Sequence, residues 1–113
     1  MRTIPAVREL HNTYKDSGLV VIGVHSPEFN HEKDINNVKD AIVRLDVPYA
    51  VAIDNDFKTW RAFNNRYWPS LYLIDKRGVI RYNHIGELHV GTKSWEELVS
   101  LIEQLQKEPG EFY

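Results

Sequence analysis

A run of six residues at positions 19–24, Leu-Val-Val-Ile-Gly-Val, constrains the fold of this chain more than any other segment. A short continuous apolar run that is rich in β-branched residues is typical of a strand covered on both faces, as in a parallel sheet. The usual building block of such sheets is a right-handed strand–helix–strand unit. The run therefore predicts an α/β protein whose helices lie in the neighbouring segments.

Apolar residues recur at helical spacing on both sides of this run. The first helix begins near Ile4 and ends before Gly18, because glycine accepts the left-handed conformation of a helix end. The stripes of the later helices are Ile35, Val38, Ile42 and Leu45, then Phe57, Trp60 and Phe63, and finally Trp95, Leu98, Ile102 and Leu105. Residues 94–97 fit a capping box at the start of the last helix, and Pro109 follows its end.

Three further strands complete the pattern. Residues 49–53 predict a short strand, and residues 70–75 and 79–84 predict a hairpin around a tight connection that contains Gly78. Alternating elements followed by a hairpin and a closing helix indicate a mixed sheet between layers of helices. We expect a single domain over residues 1–113, in which the opening helix has no strand before it.

Composition excludes several functions. The net charge of −2 with no basic stripe argues against a nucleic-acid-binding surface, and no apolar run approaches the roughly 20 residues of a membrane span. The chain has no cysteine, so it offers no disulfide, thiolate nucleophile or sulfur-based zinc site. The histidines at 31, 84 and 89 lack metal-ligand spacing. No metal and no cofactor are predicted.

Segments at residues 19–29, 52–56, 60–63, 65–69 and 73–82 resemble, in the same order, the redoxin domain of DipZ-type and TlpA-type thiol–disulfide proteins. The resemblance covers roughly residues 2–105. It implies a thioredoxin-like three-layer α/β/α sandwich and membership of a thiol–disulfide oxidoreductase family.

The same resemblance implies a missing motif. The family carries a Cys-x-x-Cys pair at the start of the first helix, ahead of a helical proline that corresponds to Pro5. Counting back from Pro5 places the second cysteine one position before Met1. We therefore expect a domain truncated just after the motif and lacking the strand that precedes it; the alternative is a natural member that discarded the motif. On either interpretation the chain has no catalytic residue and is redox-inactive as given.

The resemblance also places a substrate-binding groove. Pro69 corresponds to the family's cis-proline, whose neighbouring backbone can hold an extended substrate as an added strand. The alternative is an ordinary proline that begins a strand. Tyr67 and Trp68 are expected to line the groove, unless one of them lies in the core. Arg66 meets an acidic group of a partner or caps a helix end.

The loop after the first strand supplies two further candidates, His25 and Glu28. Thr3 occupies the place where many TlpA-type proteins carry a proton-handling glutamate, so Glu28 is the candidate replacement; its alternative is a solvated glutamate. His25 titrates near neutrality or is a hydrogen-bonded structural residue. The residues at positions 54–56, Asp-Asn-Asp, are interpreted as turn and cap residues.

Two functions follow from these observations. The chain is a thiol–disulfide oxidoreductase domain without its dithiol, whose intact form acts on a disulfide-bearing or thiol protein, or it is a non-catalytic module that binds extended peptides in the same groove. Without the central strand, residues 19–24 and the hairpin would both expose apolar edges. The hairpin then closes onto the first strand, a second copy pairs with the edges, or the chain folds marginally. Self-association is the outcome that we favour.

Overall fold

A computed structural model describes residues 3–110, so Met1, Arg2 and residues 111–113 lie outside the described residues. The elements within this range are α1 (Ile4–Tyr14), β1 (Ile22–His25), α2 (Ile35–Arg44), β2 (Ala50–Ile53), α3 (Lys58–Ala62), β3 (Ser70–Ile74), β4 (Ile80–Ile85) and α4 (Lys93–Lys107). Short 3₁₀ helices lie at Lys15–Ser17 and Asn30–Lys33. This is the predicted order. None of the helices in this range is long and apolar enough to cross a membrane.

The strands form two separate pairs. β1 and β2 are parallel, with Ile22 opposite Ala50, and β3 and β4 are antiparallel, with Ser70 opposite Ile85. In the part of the chain that the structure describes, no strand hydrogen-bonds to both pairs. The possibility that the hairpin closes directly onto the first strand is therefore wrong. The α/β layering is as predicted, but the sheet is divided between β1 and β3.

The hydrophobic core lies on the hairpin side of this division. Its buried members come from α1, β3, α4 and the loop that joins β4 to α4: Ala6, Leu10, Leu73, Leu88, Leu98, Ile102 and Leu105. The stripe predicted for the last helix is confirmed, since Leu98, Ile102 and Leu105 are all buried. Burial of this stripe is what holds α4 against the hairpin.

The parallel pair is much more open to solvent. The exposed fractions of Val20, Ile22 and Val24 are 76%, 62% and 46%. The prediction of a strand covered on both faces is therefore wrong for these residues. The reason is the division of the sheet. Because the hairpin does not pair with β1, no strand lies along the other edge of β1 in the described range. On α2, Val38 is buried while Ile35 is 52% exposed.

The start of α4 differs from the predicted capping box. The N-cap is Thr92, whose hydroxyl accepts a hydrogen bond from the Trp95 amide at 3.2 Å, and Ser94 lies inside the helix. Gly91, with φ of 87°, turns the chain in the left-handed region immediately before the cap. The N-cap therefore lies at Thr92, two residues before the position that the capping box predicted.

Candidate functional site

The peptide bond between Trp68 and Pro69 is cis, as predicted from the resemblance. It lies immediately before β3. The Pro69 carbonyl accepts a hydrogen bond from the Gly86 amide at 2.9 Å, just beyond the end of β4. This bond extends the pairing of the hairpin by one step and fixes the backbone that follows Trp68.

The indole of Trp68 is held in place although it is not buried. Its Nε1–H donates to the Ser26 carbonyl at 2.8 Å, and its ring lies 4.1 Å from the ring of Trp60, centroid to centroid. Trp68 is nonetheless 46% exposed, and Tyr67 is 55% exposed. The alternative that one of this pair lies in the core is therefore wrong.

The backbone of Trp68 has free hydrogen-bonding groups. Its amide and carbonyl have no partner within residues 3–110. The preceding carbonyl, that of Tyr67, is already occupied by the Ser70 hydroxyl at 2.7 Å and the Asn65 side-chain amide at 3.2 Å. One donor and one acceptor therefore stand beside an exposed aromatic ring.

The loop after β1 contacts this segment through Ser26. His25, which was predicted to lie in this loop, is instead the last residue of β1; it is half-buried, with Nε2 3.0 Å from the Glu32 carbonyl, as a hydrogen-bonded structural histidine would be. The Glu28 amide donates to the Glu32 carboxylate at 3.2 Å, while the side chain of Glu28 is exposed. Arg66 is exposed and has no hydrogen bond or ion pair to another residue of the described range. We call Ser26, Tyr67, Trp68 and Pro69 the Trp68 site.

Asp54 has a role at this site that the sequence interpretation missed. It is 5% exposed and follows β2 directly. Its carboxylate accepts from the Ser26 hydroxyl at 2.7 Å and from the amides of Thr59 and Trp60 at 3.0 and 2.9 Å. Burial by itself would raise the pKa of Asp54, but the three hydrogen bonds outweigh it and hold this pKa below its usual value.

The N-cap of α3 is Phe57 and not one of the predicted residues 54–56, although the Asp54 carboxylate does bind two amides of the first turn; its bond to Ser26 was not foreseen. The available signal was its position: an acidic residue directly after one strand, beside the end of a parallel neighbour. Because the carboxyl ends of parallel strands lie at one edge of a sheet, Asp54 and Ser26 were candidates for contact. Thr3, where a family glutamate was expected, accepts a bond from the Leu88 amide at 3.1 Å. Within residues 3–110, no three His, Asp or Glu side chains cluster as metal ligands would.

The order of elements and the cis-proline before an antiparallel hairpin are those of a thioredoxin-like domain. Comparison with known proteins agrees. The chain belongs to the AhpC/TSA family, which it matches over residues 1–83. The chain is a thioredoxin-like domain of the thiol–disulfide oxidoreductase family. It contains no cysteine, so it has no thiol to exchange.

Individual relatives support the same assignment. Protein DipZ of Mycobacterium bovis is 48% identical over 86 residues, which make up 76% of this chain and 12% of DipZ. Thiol-disulfide oxidoreductase YkuV of Bacillus subtilis is 31% identical over 74% of this chain and 55% of YkuV. The crystal structure of the thioredoxin-like superfamily protein SPOA0173 matches with a TM-score of 0.80 and 25% identity, over 94% of this chain and 70% of that one. The resemblance to DipZ-type redoxin domains is confirmed.

Proposed function

We propose that this domain binds an extended segment of a thiol- or disulfide-bearing protein at the Trp68 site. The observation that carries the proposal is that the amide and carbonyl of Trp68, beside its exposed indole, have no hydrogen-bond partner among the described residues. An extended peptide that adds to a strand edge gains affinity from main-chain hydrogen bonds and specificity from side-chain contacts. The Trp68 site offers both.

The fixed geometry of the indole supports the same proposal. Ordering a side chain at an interface costs about 0.5–1.5 kcal/mol, and a group that is already held in position avoids much of this cost. Trp68 is held on its edge by Ser26 and on its face by Trp60 before any partner arrives. Tyr67 adds a second exposed aromatic surface next to it.

The binding test uses a cysteine-blocked probe, the S-carboxyamidomethylated insulin B chain, titrated into the ¹⁵N-labelled protein. We expect the indole N–H resonance of Trp68 to shift on binding. Trp68→Ala should weaken binding by on the order of tenfold or more, because tryptophans that a bound partner covers are common hot spots of interfaces. The control is Val79→Ala, which removes an exposed apolar side chain at the opposite end of the hairpin. Equal affinities for the two variants would contradict the proposal.

The redox behaviour distinguishes two versions of this function. The 113-residue chain has no sulfur nucleophile, so it should not accelerate the reduction of insulin by dithiothreitol. Turnover by this chain would contradict both versions. If the DNA upstream of Met1 encodes a Cys-x-x-Cys pair in frame, a longer chain that includes it should be active, with Trp68 holding the substrate. If it does not, the non-catalytic binding module is the better description.

A separate set of observations favours self-association through strand edges, which we also propose. β1 and β3 each have a paired neighbour on one side only within the described range, and Val20, Ile22 and Val24 are exposed beside the open edge of β1. Exposed apolar edges of this kind recruit other strands.

Light scattering across a range of protein concentrations tests self-association. We expect the wild-type chain to form dimers or larger species, and Ile22→Lys to shift the equilibrium towards the monomer, because a charge at a strand edge opposes pairing. Val43→Lys is the matched control, since Val43 lies on α2 and is 81% exposed. A wild-type chain that remains monomeric up to millimolar concentration would contradict this proposal.

A further inference from the structure

We propose that Asp54 is a positioning residue for Trp68: one buried carboxylate fixes the indole through two independent paths. The inference rests on the proposed function for its consequence in binding. Its structural half, the placement of the indole, is measurable without any partner. Asp54 does not lie among the exposed residues of the Trp68 site and is not expected to touch a bound peptide.

The first path runs through Ser26 to the edge of the indole. Asp54 accepts the Ser26 hydroxyl at 2.7 Å, and the carbonyl of the same serine accepts the indole N–H of Trp68 at 2.8 Å. The Asp54 amide also donates to the His25 carbonyl at 2.9 Å, so the backbone before Ser26 is tied to the same residue. Both the side chain of Ser26 and the residue before it are thereby held.

The second path runs through α3 to the face of the indole. The Asp54 carboxylate accepts the amides of Thr59 and Trp60, which lie in the first turn of this short helix. Trp60 then places its ring 4.1 Å from that of Trp68 at an interplanar angle of 35°. Phe57, one residue before the helix, packs edge-on against Trp60 with centroids 6.3 Å apart. The Asp54 carboxylate therefore also helps to orient Trp60, whose ring contacts the indole of Trp68.

The chemistry of a carboxylate suits this arrangement. Three donors converge on its two oxygens: Oδ2 accepts from Ser26 and Trp60, and Oδ1 accepts from Thr59. An ionised carboxylate has only acceptors, whereas an asparagine amide has one acceptor oxygen and a nitrogen that only donates. In either orientation the nitrogen of Asp54→Asn would face a backbone N–H. A bond from an α3 amide is therefore lost in either orientation, and the bond from Ser26 is also altered when the nitrogen replaces Oδ2.

The competing explanation is that Asp54 only caps α3. Asp75 provides a matched control for this, since its carboxylate accepts from the amides of Arg77 and Val79 and from the Arg81 guanidinium, in the hairpin turn. Asp75→Asn therefore removes a comparable set of hydrogen bonds without touching either path to the indole. A general loss of stability would appear in both variants, and a displaced indole only in Asp54→Asn.

The experiment records the three indole N–H resonances of the ¹⁵N-labelled chain, with that of Trp68 assigned from Trp68→Phe. We expect Asp54→Asn and Ser26→Ala to move the Trp68 resonance, Ser26→Thr to restore it because the hydroxyl is kept, and Asp75→Asn to leave it in place. Affinity for the S-carboxyamidomethylated insulin B chain should fall about two- to tenfold in the first two variants, the range of one ordinary hydrogen bond.

The outcomes separate this inference from the function on which it rests. A Trp68 resonance that is unchanged in Asp54→Asn and in Ser26→Ala overturns the inference, whatever happens to affinity. A resonance that moves while affinity stays constant supports positioning by Asp54 and contradicts the proposed binding function. If Asp54→Asn does not fold, the comparison of Ser26→Ala with Ser26→Thr decides, since only the first removes the bond to Asp54.

Discussion

The two halves of the molecule are stabilised in different ways. The hairpin region, made of α1, β3, β4 and α4, holds seven buried apolar residues that include fully enclosed Leu98 and Leu88. The parallel region, made of β1, α2, β2 and α3, exposes apolar side chains along β1 and relies on polar bonds around Asp54. Hydrophobic burial is the dominant favourable contribution to folding, so most of the stability resides in the hairpin region.

Several contacts join the two halves within residues 3–110, among them the ring pairs His11–Tyr49 and Phe63–Tyr72, with centroids 6.0 and 4.9 Å apart. The Arg8 guanidinium of α1 donates to the carbonyls of Leu45 and Asp46 at 3.1 and 3.0 Å, next to the end of α2. Trp68, at the start of the hairpin, donates to Ser26 at the end of β1. The Trp68 site therefore lies on the boundary between the half that holds the hydrophobic core and the more open half.

The largest effect is expected when the same substitution, isoleucine to alanine, is made in each half. The comparison tests which half contributes more to the free energy of unfolding. Ile102 is 2% exposed in α4, and Ile22 is 62% exposed in β1. Ile102→Ala should lower the free energy of unfolding by about 2–5 kcal/mol, because it removes buried methylene groups and leaves a cavity. Ile22→Ala should change it by no more than about 0.5 kcal/mol. Urea unfolding followed by circular dichroism measures both values.

Light scattering at the same protein concentration is the control, because loss of self-association would add to the effect of Ile22→Ala. If both variants, compared as monomers, lost similar stability, β1 would be as well covered in solution as α4. The contrast between the two halves would then be wrong.

A smaller effect on stability is expected when the pH is lowered. Asp54 lies in the parallel region and Asp75 in the hairpin region, so substituting each one distinguishes the acid response of the two halves. The pKa of Asp75 is also below its usual value, chiefly because its carboxylate accepts a bond from the Val79 amide. For both residues the folded pKa is lower than the unfolded value of about 3.9. Their contribution to stability is therefore complete above that value and is lost as the pH falls through the folded pKa.

Acid titration of the wild-type chain should accordingly show stability falling below about pH 4. Asp75→Asn should flatten this decline in global unfolding, whereas Asp54→Asn should abolish the acid-induced change at the Trp68 indole. The assigned N–H resonance of the Trp68 indole reports the first change, and urea midpoints at each pH report global stability. A wild-type urea midpoint that stays constant from pH 5 to pH 2.5 would contradict the assigned pKa directions.

The sequence predicted those elements whose pattern is set by burial within one segment. The stripe of α4 and the helix from Ile4 are confirmed, since each presents its apolar face to the hairpin. Leu88 was not foreseen, although it is 1% exposed, because an isolated apolar residue in a loop has no periodicity to reveal its burial. The exposure of Ile22 could not be predicted from the local run, which is the same whether or not another strand lies beside it, and followed only from the expectation that the central strand is absent.

Some features of the candidate site could likewise be predicted from the sequence, and others could not. The cis bond at Pro69 was accessible through resemblance alone, since no local pattern distinguishes it from a proline that begins a strand. A capping role for residues 54–56 was predictable from local sequence, although the N-cap itself is Phe57, whereas the bond from Ser26 to Asp54 joins residues 28 positions apart in the chain. Contacts of this kind depend on how β1 and β2 align, and the register of a parallel pair is not written in either strand by itself.

The smallest expected effect uses the helix caps to sharpen the contrast. Thr92 caps α4 by accepting from the Trp95 amide, and Asp34 caps α2 by accepting from the Asn36 amide at 2.9 Å. Loss of such a cap typically costs about 1 kcal/mol. Because α4 carries much of the core, Thr92→Ala should lower global stability by that amount and speed amide exchange throughout the hairpin region.

Asp34→Ala should instead speed amide exchange within α2 while the global urea midpoint changes by less than that for Thr92→Ala. The reason is that α2 buries only Val38 in the described range, so it can open locally without exposing the core. Native-state hydrogen exchange read residue by residue measures both responses. Equal global losses for the two variants would mean that α2 and α4 unfold as one cooperative unit, and the division of stability between the two halves would not hold.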